Sequence, residues 1–436
     1  MRHLYVQFKR LSSLVPWFLT WCLILAVHSV PLDRGALAAT NRVDDKPVRI
    51  DEVAIEGIIH TKPEVIIRLL PRPVPGEFSQ AEMEEFERRV RNLSLFDLVR
   101  VTQEGQMVRV EVQEKFTLSP ILAFTSGSDL KDLTATVGVV EYNLWGTATK
   151  LGGQFNYSQR GPNIDVWLSQ HPFEPNRWAQ EVIGSYKANE IRFSDSDAKW
   201  SRNRIGGEFE LIGPYRYNSP LRYEVVTRFY RELIKDEKRT SQHFPDGSFV
   251  GVIPELTWDQ YHWNDLMPKG YRLALQLQLG YFFGGNEPRH EAVLHYLQGI
   301  PMGTDTVLMI NGVAEAVNNS KNPNHSLLIG SIVGIRGLDD NLFRNRAQAY
   351  TNLELRHAIP LAPRWAVQGV LFSDFGTFQS FTDEGKLRDW REAVNVGSGV
   401  RVVPTFLANT LLRVDVARLF SPQANWLVQF GITQYF

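Results

Sequence analysis

Three scarcities limit what this chain can be. Its only cysteine is Cys22, so neither a disulfide framework nor a cysteine metal site fits it. Its charges nearly cancel, 47 basic against 48 acidic residues for a net charge of -1, which leaves no basic face of the kind that demands nucleic acid. Past residue 27 it lacks an apolar run of the roughly 20 residues that a membrane-spanning helix needs. Helical periodicity is also nearly absent past residue 118, where turn signals recur, and aromatic residues make up 11% of the chain.

The first 40 residues have the anatomy of a secretory leader. Arg2, His3, Lys9 and Arg10 form a basic start, Leu14 to Val27 an apolar run, and Ala36-Leu37-Ala38 an A-x-A site. A signal peptide over residues 1–39 is expected, cleaved near Ala38 or Ala39. Cys22 follows the bulky Trp21, which argues against its becoming a lipid-modified first residue.

Strand periodicity replaces helices over residues 119–436. In GYRLALQLQLGYFF, residues 270–283, Tyr271, Leu273, Leu275, Leu277, Leu279 and Tyr281 share one face, and Arg272, Ala274, Gln276, Gln278 and Gly280 the other. The same division sets Val394, Val396, Val400 and Val402 against Asn395, Gly397, Gly399 and Arg401. It also sets Trp426, Val428, Phe430, Ile432 and Phe436 against Gln429, Gly431, Thr433 and Tyr435. Apolar residues opposite glycine and polar ones suit a transmembrane barrel with lipid outside and water inside. A soluble sandwich keeps its bulky residues inward. Tyr271, Tyr281, Trp365 and Trp426, at strand ends, would form an aromatic girdle.

Strands are expected to begin near residues 119, 134, 149, 163, 180, 202, 222, 249, 270, 291, 306, 347, 364, 394, 409 and 425, sixteen in all. SLLIGSIVGI, residues 326–335, is apolar enough to be a seventeenth. Single-chain bacterial barrels have even strand numbers, so this run is assigned to a long loop, residues 318–346. That loop contains Arg336, which from its setting alone is a ligand clamp, a nucleic-acid contact, a buried structural charge or an idle loop residue.

Residues 47–116 read as a separate α+β module. VRIDEVAIEGI is a strand. Thr61-Lys62-Pro63-Glu64 has capping-box form and opens a short helix carrying Val65, Ile66, Leu69 and Leu70. Ser79-Gln80-Ala81-Glu82 opens a second, with Met83, Phe86, Val90 and Leu93 at helical spacing. Residues 98–114 form a hairpin turning at Glu104-Gly105. The order is β-α-α-β-β with a three-stranded sheet.

This module, with Gly57 ending its first strand and LSLFDLVRV leading out of the second helix, resembles a POTRA domain. The rest resembles the barrel of the BamA/TamA outer-membrane assembly superfamily, which includes the two-partner secretion transporters. IRGL at 335–338 is similar to the VRGF/Y motif of the sixth outer loop, and FSDFGTF at 372–378 to the F-x-D-x-G motif. NLELRHAIP at 352–360 is similar to the strand between them, and WNDLMPKGYRL to the turn entering strand nine. The departures are Leu338, where an aromatic residue is usual, and a single POTRA unit. By count, the IRGL loop is also the sixth outer loop.

Alternation puts Gln348, Tyr350, Asn352, Glu354 and Arg356 on the lumen face of strand twelve, and Asp374 shares the parity of Gln368 and Phe372. The resemblance implies an internal latch in which Arg336, beside Gly337, reaches Glu354 and Asp374, with Gly376 completing the motif. It also implies that Phe430, Ile432 and Phe436 form a C-terminal insertion signal. The expected function is a non-enzymatic outer-membrane factor that inserts or exports other polypeptides, with no cofactor or metal. Its partners would be client polypeptides on the POTRA strand edge, outer-membrane lipid and periplasmic accessory proteins, and no nucleic acid. Strand one, SPILAFTSG, starts with proline beyond its first serine and is poor in bulky residues, so the seam between first and last strands is expected to open laterally. A two-partner secretion transporter and a passive porin are the alternatives. HEAVLH at 290–295 nearly matches a zinc-protease helix but spaces its histidines wrongly and lies on a strand.

Overall fold

A computed structural model of the chain describes residues 47–431, apart from 127–133, 159–160, 171–177, 194–195, 214–218, 239–243, 263–265, 319–324, 331–333, 339–342, 363, 383, 408–409 and 423. The expected leader, together with Ile432 and Phe436 of the expected C-terminal signal, therefore lies outside the described residues.

The N-terminal module runs β1 (Val48–Ile50), β2 (Glu52–Glu56), α1 (Pro63–Ile67), β3 (Gly76–Phe78), α2 (Gln80–Asn92), β4 (Phe96–Glu104) and β5 (Met107–Glu114). Its three-stranded sheet has the order β2-β5-β4, with β2 parallel and β4 antiparallel to β5. The first predicted strand breaks at Asp51: β1 turns aside to pair with β3. The core is built from the residues the helical spacing selects, Val65, Ile66, Leu69, Leu70, Met83, Phe86, Val90 and Leu93, packed on Val108, Val110 and Val112. The capping box at Ser79 and Glu82 is present. The one expected at Thr61 is not: the cap of α1 is Lys62, without a side-chain bond. Thr61 is occupied elsewhere, its N–H donating to Glu114 Oε1 at 2.7 Å and its hydroxyl accepting from Asn143 Nδ2 at 2.9 Å.

The barrel follows in β6 (Leu118–Ser126), β7 (Thr134–Leu144), β8 (Thr149–Ser158), β9 (Gly161–Ser169), β10 (Ala179–Phe193), β11 (Ser196–Ile212), β12 (Leu221–Lys238) and β13 (Gly247–Asp259). It continues in β14 (Gly270–Phe282), β15 (Glu287–Pro301), β16 (Thr306–Val317), β17 (Leu327–Ile329), β18 (Phe343–Ala362), β19 (Trp365–Phe381), β20 (Leu387–Pro404), β21 (Leu412–Ser421) and β22 (Asn425–Gly431). Setting aside the three-residue β17, these are sixteen antiparallel strands closed into a barrel. β17 lies in the loop between β16 and β18, pairing with the start of β18 while β16 also pairs with β18 directly. Among the described residues of the apolar run at 326–335, none belongs to a barrel-spanning strand, as strand parity requires. β18 begins at Phe343 rather than near 347, because β17 extends its ladder.

Alternation sets the barrel's two faces. Along β14, Leu273, Leu275, Leu277 and Leu279 are exposed outward, whereas Ala274 and Gln278 are buried inside. Tyr281, Trp365 and Trp426 also face out near strand ends. A leucine-clad exterior around a polar interior is stable only with lipid as the outer solvent. Among the described residues no helix is long and apolar enough to cross a membrane. β22 closes on β6 through Val428↔Ser126, Gln429↔Thr125, Phe430↔Phe124 and Gly431↔Ala123.

Candidate functional site: a charged latch inside the barrel

The loop between the eleventh and twelfth barrel strands, here loop six, folds inward instead of lying on the surface. Its tip is a turn over Ile335–Leu338 in which the Leu338 N–H donates to the Ile335 carbonyl at 3.2 Å. Gly337 occupies the third turn position with φ +92°, a backbone setting that favours glycine. The turn presents Arg336 at its second position. Leu338 is buried among Ile335, Tyr350, Phe378 and Leu419, so an aliphatic residue fills the place where the sequence motif leads one to expect an aromatic.

β18 and β19 supply the acceptors. Glu354 and Asp374 face the lumen by the same alternation that exposes Leu353, Leu355, Leu371 and Phe375 to the outside. Arg336, Glu354 and Asp374 are all 0% exposed. Arg336 donates from Nε to Asp374 Oδ2 at 2.9 Å and from Nη2 to Asp374 Oδ1 at 2.7 Å, a two-pronged guanidinium–carboxylate pair. Its Nη1 donates to Glu354 Oε1 at 2.7 Å, and its own backbone N–H donates to Asp374 Oδ2 at 3.0 Å. Of the alternatives open for Arg336 in the sequence, the geometry selects a buried structural charge.

Gly376 lies beside the turn. A side chain there would come within 2.6 Å of Ile335 Cδ1 and 3.0 Å of the Ala349 carbonyl oxygen, so the glycine lets the loop tip approach the wall. All five residues expected in the latch are thus gathered in one place. Phe430, from the expected C-terminal signal, is instead on the closing seam opposite Phe124.

Several participants were not assigned to the site by sequence. The Phe372 ring lies under the Arg336 guanidinium at 3.4 Å, a cation–π contact in a desolvated setting. Asn395 donates to the Arg336 carbonyl at 2.5 Å and to Asp374 Oδ2 at 2.7 Å, and accepts from the Asp374 N–H at 2.9 Å. Glu354 is also gripped by Arg401, at 3.0 and 3.1 Å, and by Arg356, whose Nε donates to Oε2 at 2.7 Å. Asn352 donates to the Gly334 carbonyl at 2.7 Å. Strand alternation identifies each as lumen-facing; no local pattern says which of the lumen-facing residues the loop meets.

The charges are shared within a group of three guanidinium groups and two carboxylates. Glu354 serves three guanidinium groups, and the buried Asp374 serves one plus an amide. A carboxylate buried in this way is tolerable because every partner is also charged or hydrogen-bonding. The arrangement holds no nucleophile next to a base, and what it does chemically is fix a loop. HEAVLH lies on β15, where His295 bonds Asn311 at 2.7 Å, and no group of metal-ligating side chains occurs among the described residues.

Comparison of the sequence with protein-family models and with curated proteins returns no match. Comparison of the fold with solved structures does. CdiB from Acinetobacter baumannii superposes with a TM-score of 0.59 at 13% identity, over 88% of this chain and 74% of that one. CdiB from Escherichia coli gives 0.55 at 10%, over 90% and 92%. BamA from Haemophilus ducreyi lacking POTRA domains 1–3 gives 0.52 at 12%, over 88% and 84%. The chain therefore has the fold of the BamA and CdiB outer-membrane barrels.

Proposed function

We propose that this chain is a non-enzymatic outer-membrane factor that inserts or exports other polypeptides, with residues 47–116 serving as a POTRA domain in the periplasm. The observation that carries the reading is the latch. A loop tied into the lumen by four buried hydrogen bonds from Arg336 takes up space that an open solute channel leaves to water. The likeness in fold to BamA and CdiB supports the same conclusion. Extended clients would add to an edge of the β2-β5-β4 sheet, since β2 and β4 each leave one side of backbone groups unpaired. Periplasmic accessory proteins would use the same module, and the leucine-clad exterior would lie in outer-membrane lipid.

The exit for a client is the seam. On β6, Pro120 has no backbone N–H to give to a ladder, and at the seam this first barrel strand meets the last, β22. Export of one dedicated polypeptide through the lumen is a second reading, to which the likeness in fold to the two CdiB structures lends the same support as the likeness to BamA lends insertion. Photocrosslinking residues placed at Ala54 on β2 and at Phe124 on β6, in cells, separate the two. Insertion predicts adducts of both sites with outer-membrane barrels. Dedicated export predicts one secreted adduct and none at the seam, and an absence of polypeptide adducts at both sites would reject the proposal.

A further inference from the structure

Loop six reaches further round the barrel than its two principal acceptors. Beyond β18 and β19, its tip meets β21, the strand before the last. Gly337 passes close to Leu419, so that a side chain added to it would come within 3.1 Å of Leu419 Cβ. Leu419 shares a buried cluster with Ile335 and Leu338. Arg336 Nη1 lies 3.7 Å from Asp415 Oδ2. Phe372, under the Arg336 guanidinium, packs in another cluster with Leu427 of β22.

Asp415 occupies an unusual position. Across the β20–β21 ladder, Arg401 stands directly opposite Arg413, and like charges opposite each other weaken a ladder. Asp415 is the anion beside both, 4.0 Å from Arg401 Nη2 and 3.9 Å from Arg413 Nη1. Its own cross-strand partner is Gly399, where an added Cβ would come within 2.0 Å of Asp415 Oδ1; the glycine leaves room for the carboxylate. Asp415 is buried, and neither of its oxygens accepts a direct hydrogen bond. It is held by charge alone, between one cation from the loop and two from the ladder.

We propose that Asp415 is a positioning residue that couples the loop-six latch to the closing seam, so that an engaged latch holds the β21–β22 hairpin against β20 and thereby against β6. Its use rests on the insertion-or-export reading, whereas the coupling is a property of the barrel alone. Without Asp415, Arg336 is drawn only toward β18 and β19, Arg401 and Arg413 repel across the ladder, and the last hairpin is left to its backbone bonds. The seam then opens by swinging β21 and β22 as a unit.

The test places spin labels on cysteines at Ser126→Cys and Val428→Cys, a facing pair on the seam, in a Cys22→Ser background with the full chain in liposomes. The unaltered latch gives one short distance population. Asp415→Asn gives a second, longer population, increased several-fold, and Gly399→Ala, which displaces the carboxylate without removing it, reproduces it. Arg336→Ala opens the seam too, and combining it with Asp415→Asn adds little, since both break one connection. Heat-modifiable mobility identifies the folded fraction that is measured. Distances unchanged in Asp415→Asn, or in Gly399→Ala should the former not fold, would overturn the proposal, as would fully additive opening in the double variant. Absence of client insertion by the parent protein would reject the functional reading and leave the seam distances to decide this one.

Discussion

Arg336 and Asp374 are joined by three hydrogen bonds, from the guanidinium Nε and Nη2 and from the arginine's own N–H. Side chain and backbone of the loop tip are thus fixed by a single carboxylate, and the position of the tip is as definite as that of β19. Removing the Arg336 side chain leaves the buried Asp374 carboxylate with no cation, only Asn395 and the backbone N–H of residue 336. Arg336→Ala is expected to cost about 3–5 kcal/mol, read as a lower denaturant midpoint for loss of heat-modifiable mobility. Arg336→Lys keeps the charge but cannot reproduce the planar two-pronged pair, and its midpoint should lie between.

Phe372 separates stacking from packing. Phe372→Leu keeps most of the apolar volume against Leu427 and Val370 and removes the ring from under Arg336, for a loss of about 2 kcal/mol. Phe372→Ala removes both and should cost about 3–5 kcal/mol. A Phe372→Leu midpoint equal to that of the unaltered protein would show that the cation–π contact contributes nothing.

Gly337→Ala tests the turn rather than the charges. At φ +92° an alanine is strained by about 1–3 kcal/mol, and its Cβ would press on Leu419. The variant should retain every latch side chain and still shift the midpoint, with greater protease access to loop six.

Much of this was legible in the sequence, for a physical reason. A barrel wall has period two, and its faces differ in solvent, so Leu273 to Leu279 on one side and Glu354, Asp374 and Arg401 on the other could be placed without coordinates. Parity also placed the 326–335 run in a loop. The misses share a cause as well. Thr61 looked like a helix cap, but its hydroxyl and N–H are taken by Asn143 and Glu114, far away in sequence. Asp415 faces the lumen by alternation, yet its importance comes from a loop distant in sequence that local pattern cannot place.

Glu114 gives the N-terminal module a pH dependence. Burial raises its pKa, but the Thr61 hydroxyl and the N–H groups of His60, Thr61 and Ile59 outweigh that and hold it below its ordinary value. A depressed folded pKa means stabilisation that is complete above the unfolded pKa, about 4.3 for Glu, and is lost as pH falls through the folded value. Protection of the His60 and Thr61 amides, taken relative to the unstructured chain at the same pH, should therefore fall on acidification below about pH 4. In Glu114→Gln the protection should be lower at neutral pH and nearly independent of pH.

The lipid face makes a contrasting prediction. Leu277 lies near the middle of β14 and points outward, so Leu277→Arg should cost about 2–4 kcal/mol in a bilayer. The same substitution at an outward site near the strand end, Tyr281→Arg, should cost much less. Equal costs, measured as unfolding midpoints in liposomes, would mean that the outer face is not in lipid.

The proposed passage of polypeptides into or across the outer membrane runs by way of the seam. The most direct measurement is the insertion rate of a urea-unfolded outer-membrane barrel into liposomes containing the full chain, with the Ser126→Cys/Val428→Cys seam oxidised and then reduced. The account predicts accelerated insertion by the reduced protein, loss of that acceleration on oxidation, and recovery with reductant. Acceleration that persists with the seam locked, or none in the reduced state, would contradict it.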